Sequence, residues 1–344
     1  MTLAELLDTG LDAVVAPLGW DSPRMLSKVI VWAVMSVLVF STALTTGGIF
    51  TFVFRKLFAF FTQRVGPNRV GPWGVLQFLA DGVKLVFKED ITPRKADWFG
   101  YHAAIYIVIV PFVTSWAVIP FSNSLVYADL RYGALFLLAV SAIPPLGEIV
   151  AGWASNNKYS LWGGLRAAAL DVSYEVPLVM VILSVILLAG SLSLNDIVEA
   201  QENLWFIIPL LPGAFIFFMA MLAKGGLIPT DLPESESELV AGYVTEYSGM
   251  RFGMFFVALF ASIFFLSSLT ATFFFGGWQG PAFAPPLFWF LLKTYLICFV
   301  VFWLWCTLPR VRPDQYMALA WKVLFPLALL QLVVAVVVKE MGWV

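Results

Sequence analysis

The chain has very little with which to hold a metal. Its 344 residues include one histidine, His102, and two cysteines, Cys298 and Cys306, which share one apolar segment. That inventory cannot ligate an iron–sulfur cluster, a haem or a zinc ion at the usual spacings. No cofactor is therefore expected on this chain, and any redox centre it works with belongs to a partner. Charge is scarce as well: 12% of the residues are charged and 61% are hydrophobic, against about 25% charged in a soluble domain. The sequence shows no repeat of roughly 20 to 50 residues, no low-complexity tract and no basic run suited to nucleic acid. It also lacks an apolar leader followed by a small-residue cleavage site, so the first span is expected to stay in the mature chain.

What is present is apolar sequence in long runs. A helix needs about 20 apolar residues to cross the hydrocarbon core, and eight runs qualify, near 28–54, 99–121, 131–152, 168–190, 204–223, 251–274, 286–308 and 318–338. The expected fold is an all-α polytopic bundle in one membrane domain, 1–344. An even count puts both termini on one side. The loops of the other side carry fourteen of the twenty basic residues, among them Arg55, Arg64, Lys84, Lys158, Lys224, Arg251, Arg310 and Arg312. The positive-inside rule makes those loops cytoplasmic and both termini external. Trp20, Trp98, Trp153, Trp205 and Trp278 fall near span ends, where interfacial anchoring is the ordinary role of tryptophan.

Two of the basic-side loops have character of their own. In the loop over 55–98, Val75, Leu76, Phe78, Leu79, Val83, Val86 and Phe87 make an apolar side, and Gln77, Asp81, Lys84 and Lys88 a polar one. The pattern predicts a helix lying in the membrane interface, either tucked under the bundle or bordering an entrance for a lipophilic ligand. In the loop over 224–250, TDLPESESEL sets Asp231, Glu234, Glu236 and Glu238 close together. If Asp231 caps a helix, Glu234 favours its first turn and residues 231, 234 and 238 share a face. A solvated acidic face is the ordinary meaning of such a run; mutual repulsion, which raises the pKa of some members, would also suit a proton relay.

Ionisable groups inside spans are costly and are functional candidates by default. Glu148 follows PPLG in span three, Asp171 and Glu175 stand one turn apart where span four is expected to open, and Lys293 lies in span seven. An ion pair between Glu148 and Lys293 would need no transport role.

Four long stretches carry a resemblance: QRVGPNRVGPWGVLQFLADGVKLVFKEDITP, GWASNNKYSLWGGLRAAA with VSYE, DLPESESELVAGYVTEYSGMRF, and LPRVRPDQYM with AWK. In this order they resemble the quinone-site membrane subunit of respiratory complex I (NADH-quinone oxidoreductase), a family with members in bacteria and in mitochondria. The resemblance covers nearly the whole chain. It implies the membrane end of a quinone chamber with Arg55, Arg64, Asp81, Asp231 and Glu234, and a proton-coupling set of Glu175, Glu236, Glu238 and Glu246, to which the chain's own Asp171 and Glu148 are added. It further implies quinone as substrate, iron–sulfur clusters on soluble redox-arm subunits, small and antiporter-like membrane subunits as partners, NAD(P)H or ferredoxin as the electron source, and the bacterial plasma membrane as location.

The chain departs from the family pattern in one class of position. Phe54 and Leu259 stand where the family has acids, Lys224 replaces a relay acid, Leu227 and Trp305 replace arginines, and Glu148 and Asp171 are gained. One explanation is a substitute relay through Glu148, Asp171 and Glu175, with Lys224 paired to Asp231 or Glu234. The rival is a membrane anchor of a hydrogenase-like or variant dehydrogenase complex without a working quinone site. A free-standing proton-coupled carrier fits less well, for want of an inverted repeat.

Overall fold

The computed structural model describes residues 24–123, 125–281 and 283–341, with the side chains of residues 24–29, 236 and 237 left outside the description. Trp20, the chain termini and the side chain of Glu236 therefore lie outside the described residues.

Among the described residues the secondary structure is helical throughout. Seven stretches are long and apolar enough to cross a membrane: Ile30–Phe61, Trp98–Trp116, Gly133–Ala154, Lys158–Ala189, Gly249–Phe274, Pro286–Thr307 and Pro313–Glu340. An eighth apolar helix, Leu211–Lys224, is shorter. We number the helices in chain order as α1 (Arg24–Phe61), α2 (Gln77–Phe87), α3 (Trp98–Trp116), α4 (Gly133–Ser141), α5 (Pro144–Ala154), α6 (Lys158–Ala189), α7 (Leu194–Glu199), α8 (Leu211–Lys224), α9 (Glu236–Leu239), α10 (Gly249–Phe274), α11 (Pro286–Thr307), α12 (Pro313–Leu319) and α13 (Phe325–Glu340). The chain is a multi-pass membrane protein.

Two boundaries differ from the sequence reading, each for a physical reason. The run expected at 204–223 becomes helical only at Leu211, because Pro209 and Pro212 supply no amide hydrogen to an earlier turn. At 14 residues, α8 is roughly 21 Å long, short of the ~30 Å hydrocarbon core. The span expected at 168–190 instead begins at Lys158, capped by Asn157, whose Oδ1 accepts from the Tyr159 amide at 2.9 Å. Lys158, Arg166 and the Gly163–Gly164 pair had masked these turns as loop. Asp171 and Glu175 consequently lie inside α6 and not at its opening.

Span three is broken by Pro144 and Pro145 into α4 and α5. Helices α5 and α6 then approach closely through small residues: a Cβ at Gly152 would stand 2.5 Å from the Ser160 carbonyl oxygen. Membrane helices pack in this way because no hydrophobic drive separates them from lipid, so contact depends on backbones coming near. One buried cluster runs through α6, α8, α10 and α11, with Trp116, Phe217, Phe260, Phe273 and Phe290 among its large side chains.

The helix expected in the first basic-side loop is present as α2. It docks Phe78 on Gly48 of α1 and Leu85 on Gly253 of α10, while Leu79, Val83, Val86 and Phe87 remain exposed. An outward apolar stripe beside a span's end is what an interfacial helix presents to lipid.

Lys293 corrects an expectation. Its ammonium does not pair with Glu148; it donates to the carbonyls of Phe275 at 2.6 Å, Gly277 at 3.1 Å and Gln279 at 2.6 Å, and stands 4.7 Å from the Trp205 ring centre. The backbone just past α10 has carbonyls that no helix satisfies, and in a lipid setting a long cationic side chain can satisfy three at once. Lys293→Met should lower the thermal midpoint of the purified assembly, through a loss of about 2 kcal/mol or more. An unchanged midpoint would show that the clamp contributes nothing.

Candidate functional site

The site is built from breaks in helices. Pro111 in α3 and the Pro144–Pro145 break after α4 leave space between α3, α5, α6, α8 and α10, and a cavity of about 120 Å³ fills it. Since about 10–15 Å³ of such volume accommodates one water, the cavity has room for several. Its walls carry Glu148 from α5, Asp171 and Tyr174 from α6, Lys224 with Gly225 and Gly226 from the end of α8, and Glu234 and Tyr243 from the acidic loop. Among the described residues Lys224 is the one cation in that lining.

Lys224 occupies the last turn of α8, where the carbonyl end of the helix dipole favours a cation. Its carboxylate partner is Glu175, with Nζ 4.0 Å from Oε1. The expected pairing with Asp231 or Glu234 gives way to this one because α8 and α6 pack side by side. Nζ also stands 5.7 Å from the Tyr174 ring centre. Among the described residues neither Lys224 Nζ nor Asp171 Oδ1 has a hydrogen-bond partner, and both atoms are shut off from bulk solvent.

The acidic loop is not the helix that its spacing suggested. Pro233 cannot donate, Val240 takes φ 66°, and only the single turn α9 forms, with Ser235 making no side-chain cap. Asp231 therefore caps no helix; it accepts from Arg310 at 2.8 Å. Glu234 accepts from the Tyr243 hydroxyl at 3.2 Å, Glu238 pairs with Arg166 of α6, and Glu246 accepts from Asn157 Nδ2 at 2.5 Å. Gly242 makes the fold of this loop possible: its φ is +57°, and a Cβ there would stand 1.7 Å from the Pro233 carbonyl oxygen. Gly163 then lets the turn lie on α6, since a Cβ there would reach 2.5 Å from the Tyr243 amide nitrogen.

Burial pushes the Tyr243 phenol well above its ordinary pKa, and the carboxylates of Glu148, Glu234 and Asp231 add to that shift. Tyr243 therefore stays a neutral donor to Glu234 through the physiological range. Tyr247, raised by burial and by Tyr101, stacks on Tyr101 at 4.3 Å and donates to its carbonyl at 3.0 Å, fixing the loop's far end to α3. Tyr243, Arg310, Arg166 and Asn157 were not singled out from sequence. Their roles depend on partners distant along the chain, and only the LPR motif around Arg310 offered a local signal.

A second hollow, of about 430 Å³, lies at the foot of α1 and is lined by Phe54, Arg55, Phe58, Arg64 and Pro67 among others. Arg55 pairs with Asp81 of α2 at 2.5 Å, and Gln77 donates to the same carboxylate at 2.9 Å. Arg64 stands 5.0 Å from the Phe58 ring centre. The sequence-predicted residues thus form two groups: Arg55, Arg64 and Asp81 around the α1 foot, and Glu148, Asp171, Glu175 and Glu234 around the central cavity. Asp231, Glu238 and Glu246 are spread along the loop between partners of their own.

Phe54 and Trp305, two of the positions where the sequence departs from the family pattern, touch. Their rings stack at 4.2 Å and 27°, and both also meet Phe260 and Phe302. The resemblance implies an acid and an arginine at these two positions, and exchanging a buried pair of opposite charges for apolar contact is often neutral or stabilising.

A sequence model of the family described as NADH dehydrogenase matches residues 33–336 of the chain. Among curated relatives, the H-type NADH-quinone oxidoreductase subunit of Magnetococcus marinus is 46% identical over 305 residues, covering 87% of this chain and 89% of its own length. The protein of the same name from Brevibacillus brevis is 48% identical over 288 residues, covering 83% and 86%, and that from Dehalococcoides mccartyi 45% over 298, covering 87% and 84%.

Phe54→Glu alone should strand a carboxylate among rings and destabilise the chain by about 2 kcal/mol or more, and adding Trp305→Arg should recover part of that loss. If the double variant were no more stable than the single, the two positions would be uncoupled.

Proposed function

The chain belongs to the NADH dehydrogenase family, and from that premise we propose that it is the membrane subunit that forms the bilayer end of the quinone chamber and couples quinone reduction to proton translocation. It is an oxidoreductase component only within its complex. The observation that carries the reading is the cavity itself: one continuous lining joins Glu234 of the acidic loop to Glu148 and Asp171 inside the bundle.

The chamber side of the proposal rests on Arg55, Arg64 and Asp81, with Asp231 and Glu234 on the adjoining loop. Arginines at the foot of a span, beside an apolar hollow and an interfacial helix, suit a ligand that arrives from lipid with a polar head and an apolar tail. The electrons come from partner subunits, because two cysteines in one helix cannot ligate a cluster. Soluble redox-arm subunits bearing the terminal iron–sulfur cluster, small membrane subunits and antiporter-like subunits are the partners this role requires. The orientation that fits has the basic loops in the cytoplasm, the termini outside, and the bacterial plasma membrane as host.

Coupling follows from electrostatics. Reduction of a quinone consumes protons and changes the local charge, and nearby carboxylates respond through their proton affinity. Glu234 is placed to respond first, with the Tyr243 hydroxyl on its carboxylate. Glu148 and Asp171 face the same space, and Glu148 senses both Glu234 and Asp171 electrostatically. Glu175, Glu236, Glu238 and Glu246 complete the proposed set, those on the loop acting through its position over the cavity mouth.

Purified native assembly in proteoliposomes tests this, with quinone reduction and the pH gradient followed together. Wild type should do both, while Asp171→Asn should keep quinone reduction and lose at least half of the gradient. Glutamine at Glu234, Glu236 and Glu238 together should lower both. A wild-type assembly with no quinone-dependent turnover would leave the membrane-anchor reading in its place.

A further inference from the structure

Three carboxyl groups, Glu148, Asp171 and Glu175, lie within spans around the cavity, and one ammonium, Lys224, lies among them. From this count we infer that Lys224 is a fixed charged counter-ion: it holds Glu175 ionised, and the resting cavity stores two protons, one on Asp171 and one on Glu148.

Three observations support the assignment. Lys224 sits within ion-pair distance of Glu175, at 4.0 Å. Asp171 and Glu175 are four residues apart on α6, so their side chains share a face roughly 5–6 Å apart at Cβ, and two bare carboxylates at that spacing repel strongly away from water. Asp171 Oδ1 is shut off from solvent with no hydrogen-bond partner among the described residues, while the same carboxyl group hydrogen-bonds Tyr174 and Glu175, and two carboxyls can hydrogen-bond each other only with a proton between them.

Neutrality then sets the number. An uncompensated charge inside the hydrocarbon region is expensive, and one ammonium offsets one carboxylate. Of three embedded acids two remain, and the cheapest state for each is the neutral acid. The other walls do not change this balance. Glu234 and Tyr243 face the set from the loop and Tyr174 from α6, while α3 and α10 offer Ser115 and Ser262 and no further titratable group in the cavity lining. Glu234 has its own hydrogen bond from Tyr243 and sits outside the spans. The Tyr174 ring, near Nζ, adds the attraction of its face for a cation. The dipole of α8 acts in the same direction, and together with Glu175 it offsets the cost of burying the ammonium.

The assignment separates roles that the sequence leaves merged. Glu175 becomes a positioning residue that anchors the ammonium, and Asp171 and Glu148 become the groups with a proton to give. What those protons serve rests on the coupling function proposed above; their number does not.

Infrared spectroscopy of the purified assembly at neutral pH, with deuterium exchange to mark the protonated-carboxyl stretch, counts them directly. Relative to wild type, Glu175→Gln should remove one protonated carboxyl, because the ammonium then holds Asp171 ionised. Lys224→Met should add one, because Glu175 must then be neutral. The double variant should return to the wild-type count, and Lys224→Arg should leave it unchanged. If Lys224→Met alters nothing, the lysine is an uncharged amine and the inference is overturned; so is it if Glu175→Gln leaves the band intact. Each of these counts can be taken in an assembly that fails to pump, so loss of turnover in wild type would contradict the coupling function alone.

Discussion

Lipid's intolerance of uncompensated charge is the constraint on which the structure depends. A charged group at the centre of a bilayer costs about 2.5–3.5 kcal/mol even by the most lenient measure, and Glu148, Asp171, Glu175, Lys224 and Lys293 all lie inside the bundle. Their compensations differ. Lys293 takes three backbone carbonyls and a tryptophan face; Lys224 takes Glu175, the Tyr174 ring and the end of a helix dipole; Asp171 and Glu148 take a cavity large enough for water.

The cavity exists because the bundle is not made of straight, complete helices. Pro111 and the Pro144–Pro145 break prevent α3 and the α4–α5 span from closing against α6. Helix α8 is too short to cross on its own, and its charged end is buried within the bundle beside α6. The glycines act oppositely, drawing α5, α6 and the acidic loop together at Gly152, Gly163 and Gly242. Prolines open the centre and glycines close its rim, which places the loop carboxylates directly over the embedded ones.

Much of this was legible in the sequence, for reasons that are themselves physical. The long apolar helices, the amphipathic helix of the first basic-side loop and the placing of Glu148, Asp171 and Glu175 on apolar helices all follow from local hydropathy and periodicity, which lipid enforces strictly. Partners were not legible. Lys224 meets Glu175 across 49 positions, Asp231 meets Arg310 across 79, and Lys293 meets carbonyls that no residue pattern advertises. The acidic loop misled because D-x-x-E spacing suggests a helix start, whereas Pro233 and the positive φ of Val240 and Gly242 bend the chain too sharply for one. Phe54 and Trp305 read as two separate losses in sequence; in space their rings stack on one another.

The most direct test of the central claim, that the acidic loop and the embedded acids share one hydrated cavity around a charged Lys224, is a high-resolution cryo-microscopy map of the native assembly in lipid. The account predicts density for Lys224 against Glu175, with ordered water running from Glu234 past Glu148 to Asp171. A dry, collapsed gap between α5, α6 and α10, or a Lys224 side chain turned away from Glu175 toward lipid, would contradict it.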